Sequence, residues 1–121
     1  MSQLTALGTS LVMEVPVAVV IGAGLAWVPR NQTLRLFAVA MTATLLTHPC
    51  AWWGYRGLRY GLDLGRDPAF YTVEIAVTLV EALLFWRLAG ITPVRALLVS
   101  LAANSLSAFW GWEFARLLGW A

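Results

Sequence analysis

The sequence predicts an all-α fold: an integral membrane bundle of four transmembrane helices, arranged as two antiparallel helical hairpins. Three observations lead there. Of 121 residues, 60% are hydrophobic and only 12% charged, about half the charged share of a soluble domain. A water-soluble fold could not cover that much apolar surface. Four apolar stretches approach or exceed the ~20 residues a helix needs to cross about 30 Å of hydrocarbon. Finally, Trp27, Trp52, Trp53, Trp86, Trp110, Trp112 and Trp120 all fall near the ends of those stretches. Indole favours the headgroup boundary, where its ring is apolar and its N–H reaches water.

The first span covers 4–28 and stops at Pro29-Arg30-Asn31-Gln32. With no basic residue before it, it reads as a retained helix rather than a cleaved leader. The second covers 34–53. The third covers 69–89, beginning after Pro68 and ending at Arg87–Gly90. The fourth covers 93–114, with Thr92 placed to cap it and Pro93 suited to its first turn. The apolar run continues toward Trp120, so its end is expected to tilt, to break at Gly111 or to lie along the interface. Between spans two and three, Gly54 to Asp67 interleaves tyrosine, arginine and glycine, the composition of a loop lying on the bilayer surface. The whole of 1–121 reads as a single transmembrane domain.

Four spans put both termini and the middle segment on one side, side A, and the two short connections on side B. The eight basic residues are all Arg, four on each side. The positive-inside rule therefore assigns no orientation, and the balance permits insertion both ways and an antiparallel dimer. A homo-oligomer, or membership of a larger membrane complex, is the expected state, with a bacterial inner membrane as the expected setting. No basic cluster could neutralise a row of phosphates, so nucleic acid is excluded as a partner. Cys50 stands alone, is expected to be a small core residue, and allows no intrachain disulfide.

Charged groups inside a span cost about 2.5–3.5 kcal/mol or more each, so they face the interior, find partners and mark function. Here they are Glu14, Glu74 and Glu81, joined by His48 and Asn104, so that every helix contributes. At a rise of about 1.5 Å per residue, Glu14 lies roughly 15 Å from side A, His48 9 Å, Glu74 8 Å, Glu81 18 Å and Asn104 12 Å. All five occupy the half of the bilayer nearer side A, leaving the other half apolar. Helical spacing groups Glu74, Thr78 and Glu81 on one face, Ser100, Asn104, Ser107 and Gly111 on another, with Thr44 above His48 and Ser10 above Glu14. Ala18, Gly22 and Ala26 form a small-residue stripe suited to close helix approach. Pro16 and Pro49 free the carbonyls of Val12 and Leu45 beside the polar groups. Glu113, three residues before Arg116, reads as a boundary ion pair.

Three functions fit this cluster. Carboxylates sharing a site exchange protons for a positive ligand, because either neutralises them. That favours proton-linked transport or binding of a cation or cationic small molecule at Glu14, Glu81, Glu74, His48 and Asn104, supported by Thr44, Thr78, Ser100 and Ser107. Alternatively, Glu14, His48, Glu74 and Glu81 are donors that could ligate a divalent metal, as in an intramembrane enzyme acting on a lipid-like substrate, with the middle loop as its lid. No His-Glu-x-x-His motif and no second histidine accompany them. In the third reading the cluster holds together an accessory subunit of a larger complex.

Overall fold

The computed structural model describes residues 2–119, apart from the side chains at 112 and 115. The described residues are helical, in four long elements without strands: α1 (Gln3–Gly24), α2 (Thr33–Arg56), α3 (Arg66–Ala89) and α4 (Pro93–Leu117). All four are long and apolar enough to cross a membrane, the pattern of a multi-pass membrane protein. Each packs against two others in cyclic order, α1 on α2, α2 on α3, α3 on α4 and α4 back on α1.

The distribution of side chains is inverted relative to a soluble protein. Leu4, Val12, Leu46, Ile75 and Leu101 face outward, whereas much of the buried apolar set is Ala and Val. In lipid there is no hydrophobic gain from hiding a leucine, so small residues that let backbones approach take the helix contacts. Gly22 is the clearest case: a Cβ there would stand 2.6 Å from Leu36 Cδ2, on a side chain with no exposure of its own. Of the predicted stripe, Ala18 and Gly22 are buried as expected. Ala26 is not part of it, because α1 ends at Gly24 rather than near residue 28. There the chain turns with Ala26 at φ 54°, and the N–H groups of Ala26 and Trp27 close onto the carbonyls of Ala23 and Gly22 at 3.1 and 2.9 Å. That is a Schellman end, and it satisfies carbonyls the helix leaves open.

The segment expected as a surface loop is mostly helix. α2 runs through Trp53 to Arg56 and widens into a π-helical turn over Gly57–Gly61. There Leu62 N–H bonds Gly57 O and Leu64 N–H bonds Leu58 O. Arg59 donates to Leu64 O, drawing the following residues back onto that turn. Only residues 62–65 then separate it from α3, which starts at Arg66 with Pro68 in its first turn. α4 continues through Gly111 to Leu117 without a break, which removes one of the three expectations for its end. Thr92 occupies the N-cap position before Pro93, although its side chain makes no capping bond. α1 and α2 remain helical through Pro16 and Pro49. Cys50 faces outward, not into the core. The interfacial roles expected for the Trp112 and Trp120 side chains lie outside the described residues.

The core occupies one end of the bundle. Val15 and Ala18 of α1, Leu36, Val39 and Ala40 of α2, Phe85 and Ala89 of α3, and Ala96 and Val99 of α4 form one apolar cluster, closed by Val28 and Ile91 from the two turns. Arg35 ties that end together by donating from Nε to Leu88 O at 2.7 Å, a cation placed on the last turn of α3, where carbonyls are unpaired. The opposite end, formed by the start of α1, the end of α2, the start of α3 and the end of α4, encloses a cavity.

Candidate functional site

The cavity measures about 840 Å³, and all four helices line it. Glu14, His48, Glu74, Glu81 and Asn104, which the sequence singled out one helix at a time, all face this single space. Glu14, Glu81 and Asn104 are buried at its deep end, and His48 and Glu74 are half-buried on its wall. The apolar core cluster described above supplies none of the lining residues.

Each deep carboxyl group is held by uncharged donors. Thr44 Oγ1 donates to Glu14 Oε2 at 2.8 Å, with buried Ser107 of α4 also beside that carboxyl. Glu81 receives a donor on each oxygen: Thr47 Oγ1 at 2.6 Å on Oε1 and Asn104 Nδ2 at 2.6 Å on Oε2. Asn104 is fixed in turn, its Nδ2 also reaching Ser100 O at 3.0 Å and Ser100 Oγ at 3.3 Å. Ser100 Oγ donates across to Thr78 O at 2.7 Å. One polar chain therefore links α2, α3 and α4 through Glu81. No salt bridge to Glu14, Glu74 or Glu81 forms among the described residues, whereas Glu113 pairs with Arg116 at 2.7 Å as expected.

Thr47 adds a chemical property that a fixed donor would lack. Its single hydroxyl proton has two acceptors within reach, Glu81 Oε1 at 2.6 Å and Ala43 O at 2.9 Å. When Glu81 is ionised, the proton points to the carboxylate. When Glu81 is protonated, the acid can donate to Thr47 Oγ1, and the threonine proton turns to Ala43 O. Both protonation states of Glu81 are thus satisfied without moving a heavy atom. The sequence reading missed Thr47, although its spacing of three from Thr44 puts both on one face of α2.

His48 and Glu74 are less fully engaged. Ser10 Oγ lies 3.3 Å from His48 Nδ1, while His48 Nε2 is buried without a hydrogen-bond partner. A buried polar atom left unpaired costs about 1–3 kcal/mol, so this nitrogen is available to a ligand. Glu74 stands on the same wall, with no hydrogen bond to another described residue. Toward side A the wall turns aromatic, with Trp52, Tyr55, Phe70, Tyr71 and Phe109. These residues were not foreseen, since aromatics near span ends read equally well as interfacial anchors.

The four donors considered for a divalent metal are spread around the cavity rather than gathered. Among the described residues no group of three or more His, Cys, Asp or Glu is arranged to hold a metal ion. Compared with known protein families, with curated proteins and with solved structures, the chain matches none.

Proposed function

We propose that the cavity binds a cationic small molecule in exchange for protons, as the loading step of proton-linked transport or binding. The observation that carries this reading is the set of three glutamates lining one cavity with no salt bridge to any of them among the described residues. Two of the three are held by neutral hydroxyl and amide donors instead. Arg66, at the start of α3, also lines the cavity, but each deep carboxyl group has only neutral partners at hydrogen-bond distance among the described residues, and protons or a bound cation neutralise such groups equally. The volume, about 840 Å³, falls in the range of small-molecule sites. Release of the ligand past the apolar core requires either rearrangement of that core or a second protomer inserted in the opposite sense.

The test is proton release on titrating the purified protein with hydrophobic cations and, separately, with divalent metals. The parallel sample is the Glu14→Gln/Glu81→Gln variant. Release on cation addition that vanishes in the variant is the expected result. No release from either protein, with both equally stable, would reduce the cluster to a structural role in a larger complex.

The Ser10–His48 pair with its unpartnered Nε2 supports a second reading, an intramembrane enzyme with a lipid-like substrate. The two separate at His48: in the binding reading His48→Gln lowers cation-induced proton release only in part, because Glu14 and Glu81 remain, whereas an enzyme loses turnover outright.

A further inference from the structure

Between α3 and α4 a second hollow of about 370 Å³ opens on the outer face of the bundle. It shares Phe70, Tyr71, Glu74, Asn104, Ser105 and Ala108 with the main cavity. The residues it adds are Thr78 and the outward-facing Ile75, Leu79 and Leu101. The two hollows are therefore the inside and outside of one seam, with Glu74 at its threshold. One turn deeper, the seam is fastened by Ser100 to Thr78 at 2.7 Å and by Asn104 to Glu81 at 2.6 Å. At Glu74 no such bond crosses it among the described residues, and beside Asn104 and Leu101 the α4 side of the hollow carries the small side chains of Ser105 and Ala108.

We infer that the cavity is loaded sideways from the bilayer through this seam, and that its ligand is a cationic amphiphile. This rests on the cation-for-proton reading above and specifies its substrate class. The ammonium group sits among Glu74, Glu14 and Glu81, and the alkyl tail runs back between Phe70 and Tyr71 toward Leu79 and Leu101. Charge complementarity selects the head: a carboxylate at a lipid-facing opening attracts a cation and repels anionic amphiphiles. The aromatic rings at the opening suit the same occupant, since their faces accept both alkyl chains and quaternary ammonium groups.

The experiment places the protein in phosphatidylcholine nanodiscs and follows proton release in a stopped-flow instrument. Two permanently charged probes are used: dodecyltrimethylammonium, which partitions into the bilayer, and tetramethylammonium, which stays in water. Leu101→Trp, at a position that lines the outer hollow and not the main cavity, is expected to slow release by the long-chain probe at least tenfold while leaving tetramethylammonium, which comes through the aromatic mouth, unchanged. Leu106→Trp puts the same bulk on a lipid-facing position outside both hollows and should alter neither probe. Should Leu101→Trp fail to fold, Ile75→Trp obstructs the same opening from α3, again outside the main cavity. Release by the long-chain probe alone, lost in the seam variant, supports the inference equally. Equal slowing of both probes, slowing of neither, or release by tetramethylammonium alone overturns lateral loading. Release by neither probe from the unaltered protein overturns the cation-exchange reading itself.

Discussion

The most informative residue is Glu81, because its partners dictate how it should respond to replacement. A glutamine there keeps one oxygen for Asn104 and presents its amide to Thr47 Oγ1, whose own proton has Ala43 O as an alternative acceptor. Glu81→Gln is therefore expected to unfold within about 1 kcal/mol of the parent, since every buried polar group keeps a partner. Glu81→Leu leaves one Asn104 N–H without its carboxyl acceptor while the other stays on Ser100 O, and should cost about 1–3 kcal/mol; steric-trapping or thermal unfolding in detergent distinguishes the two. Equal losses from both would mean that charge, not hydrogen bonding, holds α2, α3 and α4 together. The four ionisable residues were legible in the sequence because a charge in an apolar span is costly and turns inward, and Asn104 because it shares a helix face with Ser100 and Ser107. Thr47, Ser105 and Ala108 were not, because a hydroxyl or a methyl within a helix is cheap to place anywhere.

At the scale of elements, the α1–α2 contact turns on Gly22. The 2.6 Å approach of a Cβ to Leu36 Cδ2, on a leucine sealed at 0% exposure, makes Gly22→Ala an overpacking change worth about 1–3 kcal/mol. Leu36→Val in the same chain should restore part of that loss. A double-mutant cycle showing simple additivity would remove Leu36 as the cause. Existence and type of all four helices could be read from apolar length alone, but their ends could not. Glycine at 54, 57 and 61 looked like loop composition. The chain instead stays helical and absorbs those residues in a π turn, because Leu62 and Leu64 find acceptors five and six residues back. Likewise α1 stops early because the backbone closes at Ala26, a residue type that gives no warning of a left-handed turn.

For the molecule as a whole, the division into an apolar end and a polar, hollow end was visible as an asymmetry of depth. That a second hollow flanks the first across the α3–α4 seam depends on helix packing and has no counterpart in spacing. If protons and a cation compete for the same carboxyl groups, raising the pH removes the competitor and must tighten cation binding. Apparent affinity is expected to improve about tenfold per pH unit for each proton displaced. Isothermal titration of the nanodisc-embedded protein at three pH values reads this directly; an affinity flat in pH would show that binding and proton release are not coupled.

The blunt floor of the cavity also has an electrical consequence. About 840 Å³ is room for more than a score of waters at about 30 Å³ each. When solution fills the recess as far as Glu81, it carries the potential of side A down to the deep end of the cavity. The transmembrane voltage then falls across the thin apolar layer of Leu36, Phe85 and Val99, not across the whole bilayer. A charge crossing the full field gains or loses about 2.3 kcal/mol per 100 mV, whereas a cation travelling from side A to Glu81 crosses almost none of it. Loading should be electrically silent, and any current the protein carries belongs to the step beyond Val99.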